Sequence, residues 1–156
     1  MTSQAEFNIG SGRSVVGVVP MSLDAAGTPQ AVSGNLDTGA LVTLTAASTG
    51  GNSPDQANYN GRGLQLGINV TAITGTSPTL TVTVQGKDSA SGSYYTLLAS
   101  TAINATGFTL LTVYPGAPTT ANVSAPQVLP RTWRVLYAIG GTTPAVTATI
   151  GASVIV

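Results

Sequence analysis

The 156-residue chain has no cysteine and no histidine, and it carries only five basic and five acidic side chains. Without cysteine there is no disulfide framework and no thiolate metal site. Without histidine and cysteine, the usual general base and the most reactive nucleophile are both missing. The basic residues Arg13, Arg62, Lys87, Arg131 and Arg134 are scattered and balanced by the acids. No stripe of positive charge is therefore offered to nucleic acid or anionic lipid. No apolar run approaches the ~20 residues of a membrane-spanning helix. The polar start, 1–12, has neither the basic opening nor the apolar run of a secretory signal. The expectation is a soluble product of a cytoplasm, with no nucleic-acid or membrane partner.

The acids that remain do not compose a catalytic site. Glu6, Asp24, Asp37, Asp55 and Asp88 lie far apart in sequence and suggest no carboxylate dyad. Asp88 follows Gly86-Lys87 at a hairpin end, where Asp commonly caps a turn. Loop oxygens of Asp24, Asp37 or Asp55 lack the Asp-rich spacing of a calcium loop. Gly10-Ser11-Gly12 and Gly61-Arg62-Gly63 lack the further Gly, Lys and Ser/Thr of a phosphate loop. The Asn-x-Ser/Thr triplets at Asn69, Asn104 and Asn122 are what a Thr-rich chain contains by chance. The sequence thus assigns no catalytic residue, no cofactor and no metal, and it predicts a structural or binding protein.

What is present is strand pattern. In Thr79-Leu80-Thr81-Val82-Thr83-Val84, three apolar residues alternate with three threonines, the period of a strand with one buried face. Leu64, Leu66, Ile68, Val70 and Ala72 alternate in the same way, as do Trp133, Val135, Tyr137 and Ile139. A last series runs from Val146 through Ala148, Ile150, Ala152 and Val154 to Val156. Gly75-Thr76-Ser77-Pro78 and Gly140-Gly141-Thr142-Thr143-Pro144 read as turns between these strands. With further strands at 93–99 and 107–114, the pattern predicts an all-β fold, an antiparallel β-sandwich or jelly roll of about eight strands. Before residue 60 the pattern is looser, with apolar stretches at 15–19 and 41–46 among Gly-, Pro- and Asn-rich segments. Residues 1–40 read as an N-terminal arm, or a first strand with long loops, and 41–156 as the sandwich domain. One domain of this length buries a core without staples.

Several stretches together carry a resemblance. They are Asp55-Gln56-Ala57-Asn58-Tyr59-Asn60-Gly61-Arg62-Gly63, Asn69-Val70-Thr71-Ala72-Ile73-Thr74 and Gln85-Gly86-Lys87-Asp88 with Tyr94-Tyr95. Val113-Tyr114-Pro115-Gly116, Leu129-Pro130-Arg131-Thr132-Trp133-Arg134-Val135 and the closing 146–156 complete the set. They resemble a family of small β-rich virion structural proteins of tailed bacteriophages, over roughly residues 40–156. The resemblance lies in scaffold strands and turns and includes no functional motif. It implies a non-enzymatic capsid decoration (cement) protein on the head surface, a homotrimer whose partner is the lattice of the major capsid protein. A tail component (tube, terminator or adhesion module) and a carbohydrate-binding β-sandwich are the alternatives.

A near-neutral surface rich in Thr and Ala suits a subunit whose faces are covered by neighbours, since free monomers usually keep charged surfaces. Tyr94 and Tyr95 are adjacent, so on a strand they point to opposite sides. Arg131 and Arg134 flank Trp133, and Arg is favoured at interfaces because its flat head both pairs and stacks. Tyr94, Tyr95, Arg131 and Arg134 are the candidate interface residues, and Trp133 is assigned to the core.

Overall fold

The structure, a computed structural model, describes residues 40–156 throughout and, before them, the backbone of 4–8, 14–18, 21–23 and 29–31. The chain divides into two units, 1–34 and 35–156. In the first, β1 (Gln4–Asn8) pairs antiparallel with β2 (Ser14–Val18), and β3 (Met21–Leu23) pairs antiparallel with β4 (Pro29–Ala31). The strand expected at 15–19 is there as β2. The arm expected at 1–40 falls for the most part outside the described residues.

The second unit holds β5 (Ala40–Ala47), β6 (Gly51–Asn52), β7 (Gln56–Ala57) and β8 (Gly63–Lys87). It continues with β9 (Tyr94–Ala99), β10 (Gly107–Val113), β11 (Ser124–Ala125) and β12 (Thr132–Ile155). All eight join one open sheet, ordered β11-β10-β8-β12-β5, with β9 added to β8 and with β6 and β7 added to β12. No helix occurs among the described residues. The fold is all-β, but the sheet is mixed rather than purely antiparallel, because β11 runs parallel to β10. The loop before β11 reverses the chain twice through Tyr114 and Thr120, whose carbonyls accept from Ala117 and Ser124.

The central pair departs most from the sequence expectation. Gly75–Pro78 and Gly141–Pro144 are not turns. The strands run through them and stay paired, from Gly63 opposite Ile155 to Gly86 opposite Trp133. The two segments are near copies, Gly-Thr-Ser-Pro and Gly-Thr-Thr-Pro, and they face each other with Thr76 opposite Thr142. Ser77-Pro78 bulges across from Gly141, and Thr143-Pro144 bulges across from Gly75. Proline is tolerated inside a sheet at such a bulge, because no ladder bond is asked of its nitrogen. Gly75 (φ 123°) and Gly141 (φ 110°) adopt a backbone conformation that side chains disfavour. A Cβ on Gly141 would lie 2.7 Å from the Ser77 carbonyl oxygen, and one on Gly75 would lie 2.7 Å from that of Thr143.

The bulges also decide which residues face the core. On β12 the inward positions are odd before the bulge (Trp133, Val135) and even after it (Val146, Ala148, Ile150). On β8 a further register shift, opposite Thr147 and Ala148, turns Ala72 outward and packs Ile73 against the core. That corrects the placement of Ala72 with Leu64 to Val70. Leu64, Leu66 and Ile68 on one side of the bulges and Leu80, Val82 and Val84 on the other belong to a single buried cluster with Trp133. Each such side chain contributes about 1.5–3 kcal/mol on burial. At the chain end the pattern stops one residue early: β12 closes at Ile155, and Val156 is exposed.

Trp133 is 3% exposed, as expected, and its indole nitrogen has no partner among the described residues. Trp133→Ala should cost ~3–5 kcal/mol, read as a lower denaturant midpoint. An unchanged midpoint would contradict the packing. Gly141→Ala should cost at least ~1–3 kcal/mol through backbone strain alone. Its control is Ala138→Gly, at an exposed position three residues earlier on the first half of the same strand, which should cost no more than ~1 kcal/mol.

Candidate interaction site around Tyr94 and Arg134

The segment between β5 and β8 runs along the edge of β12, pairing with it through β6 and β7, and is fixed there by two buried polar side chains. Ser53 Oγ accepts the Val135 N–H at 3.0 Å, and the Ser53 N–H donates to the Val135 carbonyl. Asn58 Nδ2 donates to the carbonyls of Gly61 (2.8 Å) and Leu129 (2.9 Å), while its Oδ1 accepts the Gly61 N–H. A buried amide satisfied on both ends holds a loop firmly, since releasing it would strand polar atoms away from water. These two anchors hold Asp55 and Tyr59 in place.

Pairing supplies the rest. Gln85 lies opposite Arg134, and Lys87 opposite Tyr94, so β9, β8 and β12 present these side chains together. Lys87 Nζ sits 2.8 Å from Asp55 Oδ2, and the Tyr94 hydroxyl donates to Asp55 Oδ1 at 2.7 Å. The Arg134 guanidinium stacks on the Tyr94 ring, its Cζ 3.4 Å from the centroid, and Arg134 Nε donates to Gln85 Oε1 at 2.9 Å. Lys87 Nζ lies 5.2 Å from the same ring. One tyrosine thus carries a cation on its face and a carboxylate on its hydroxyl.

Of the four residues singled out in the sequence, the structure joins Tyr94 and Arg134 directly. Arg131 stacks instead on Tyr59, at 4.7 Å. Tyr95 takes the opposite side of β9, where its ring lies over Gly86 beside Pro130 and stays 45% exposed. The sequence reading missed Asp55, Lys87, Gln85 and Tyr59. Gln85 and Lys87 share a parity that points them away from Val82 and Val84, a signal that was available. Asp55 and Tyr59 come from a loop whose course no periodicity reveals.

The cluster has no nucleophile beside a base. It offers flat rings, a guanidinium whose Nη groups have no partner among the described residues, and one carboxylate held in place. That equipment suits the recognition of carbonyl or carboxylate oxygens on another surface. Strand addition is a less suitable mode of contact along several edges of the sheet, which are short, bulged or partly occupied. β6, β7 and β11 are two residues long. β5 is regular only over Val42–Leu44, between two bulges. The Ala99 carbonyl on the outer edge of β9 accepts from Asn122 Nδ2. Such edges resist pairing with another chain.

No known protein family, curated protein or solved structure matches the chain.

The Lys87 ammonium, and then the Tyr94 hydroxyl, hold the Asp55 carboxyl below its ordinary value, and Asp55 raises Lys87. For Asp55 the folded value is the lower, so its contribution is present above the unfolded value near 3.8 and is lost as pH falls through the folded one. For Lys87 the contribution is present below 10.5 and is lost as pH rises through its raised value. Asp55→Asn should therefore lower the melting midpoint between about pH 5 and about pH 9. The difference from the parent should close below about pH 3. A difference independent of pH would show that the ion pair is not its source.

Proposed function

We propose that this chain is a non-enzymatic structural protein of a tailed-bacteriophage virion, a head decoration (cement) protein that binds and stabilises the assembled capsid. The observation that carries the reading furthest is the stacked Tyr94–Arg134 pair, braced by Asp55, Lys87 and Gln85. Tyr and Arg are the anchors that interfaces favour, and an anchor already held in place loses little entropy on docking. Short and bulged edges favour contact through faces and loops, as a subunit bridging neighbours on a lattice requires. The resemblance of 40–156 to small virion proteins supplies the identity of that lattice.

In this reading the sheet folds over its core as a sandwich, a view supported by one buried cluster drawing residues from both sides of the bulges. The protein acts as a trimer on the head surface after synthesis in the host cytoplasm. Three modest contacts act together, and binding only the assembled lattice shifts assembly toward completion. Few exposed charges make attachment depend weakly on salt.

The test mixes purified protein with heads lacking it, at about 0.05 M and about 0.5 M salt. Saturable binding at many sites, kept at high salt and raising the disruption temperature of the heads, is the expected result. Arg134→Ala should weaken it by roughly 30-fold or more, the loss typical of an interface anchor, with the monomer's melting midpoint nearly unchanged. Binding to tails instead would reassign the protein to the tail, and binding to neither would overturn the reading.

A further inference from the structure

On the other half of the central pair, away from the tyrosine cluster, the outward face forms an open groove of about 430 Å³. Its floor is a cross-strand row in which Gly67 of β8 lies opposite Gly151 of β12, with Leu110 of β10 at one end and Ala40 of β5 at the other. The rows beside it are polar: Asn69 and Thr149 face each other on one bank, Gln65 and Ser153 on the other. Phe108, 68% exposed, leans over the floor, its Cζ 2.9 Å from where a Gly67 Cβ would be. Neither Gly67 nor Gly151 has a positive φ, so no turn requires them. Glycine inside a paired strand weakens it and commonly marks close approach by another group. Phe108 accounts for Gly67, while Gly151 sits at the register shift against β5 and, with Gly67, leaves the floor without side chains.

We infer that this groove binds a neutral sugar, a pyranose unit of an oligosaccharide, stacked on Phe108. The lining excludes the other occupants in turn. Among the described residues it contains no carboxylate, amine or guanidinium, so these offer nothing to neutralise a charged ligand or hold a cation. β8 is paired on both sides, with β10 and β12, and β12 with β8 and β5. The floor therefore has no ladder groups to spare for an extended peptide. The projecting Phe108 breaks the flatness that a second sheet would need. What remains is a ligand with an apolar C–H face and a rim of hydroxyls. The ring of Phe108 meets the first. The amides of Gln65 and Asn69 meet the second, because each both donates and accepts, as a pair of neighbouring hydroxyls does. No hydrogen bond to another described residue occupies the side chains of Gln65, Asn69, Thr149 or Ser153. Uncharged polar groups around an aromatic platform, in a groove of a few hundred Å³, are the ordinary make-up of a small-ligand site.

The inference does not depend on attachment to heads, because its test uses the free protein alone. Trisaccharides of glucose, galactose, mannose and N-acetylglucosamine are titrated into it by calorimetry, with ¹H–¹⁵N NMR mapping the residues that shift. Saturable binding of at least one, with shifts at Gly67, Gly151 and Asn69, is expected. Phe108→Ala should weaken it by about tenfold or more. Gln65→Leu, which keeps the groove's shape, should weaken it separately. Both side chains are exposed, so both variants should melt near the parent temperature. Binding of none of the four sugars, or binding that Phe108→Ala leaves unchanged, would overturn the proposal. So would a change in sedimentation coefficient on Phe108→Ala, which would make this face a contact between copies.

Discussion

The architecture depends on two bulges that answer each other. Gly75-Thr76-Ser77-Pro78 and Gly141-Thr142-Thr143-Pro144 each bring a proline, which cannot serve a ladder, and a glycine, which leaves room. Facing each other in antiparallel order, the Ser/Thr-Pro of one strand bulges into the space above the glycine of the other. The fit works as a pair, since each Ser/Thr-Pro backbone comes to about 3 Å from where a Cβ on the facing glycine would be. Because it works, β8 and β12 continue as single strands through a region that would otherwise end them. All six of the other strands in the sheet then hang on these two, directly or through β10.

That reciprocity explains what the sequence did and did not disclose. Alternation located the buried residues well, because a two-residue period survives wherever a strand is regular. Leu64 to Val70, Leu80 to Val84, Trp133 to Val135 and Val146 to Ile150 are all buried on the faces their spacing implied. Gly-Thr-Ser-Pro seen alone is a turn signal, and its meaning changes only when the partner segment, sixty-odd positions away, is known to face it. Ala72 failed for a related reason: a register shift opposite Thr147 and Ala148 leaves no mark in composition. The candidate site was half legible. Adjacent tyrosines and spaced arginines could be picked out by type, whereas Asp55 enters through a loop fixed by Ser53 and Asn58, whose contacts are long-range.

The same two strands expose two different outer faces on either side of the bulges. Beyond them, Gln85, Lys87 and Arg134 gather around Tyr94, and Asp55 compensates one of the two positive charges. Before them, Gln65, Asn69, Thr149 and Ser153 surround a glycine floor with no charged side chain among the described residues. A chain with few ionisable groups has concentrated three of them on one tyrosine and left the other half to amides and hydroxyls. That division follows from the pairing: direct opposition of Gln85 with Arg134, and of Gly67 with Gly151, fixes which side chains become neighbours.

Low charge also limits how such a protein stays in solution. Exposed apolar side chains such as Phe108 and Val128 are not guarded by nearby lysine or glutamate, the usual protection of a sheet surface. The chain instead protects its backbone. Several of its edge strands are short or bulged, and the Ala99 carbonyl is occupied by Asn122. Short and bulged edges make the least selective route to association, backbone pairing, less favourable and shift the balance toward contacts that depend on side-chain identity. A surface with little charge then becomes compatible with specific recognition, because the groups left to make contact are few, positioned and chemically distinct.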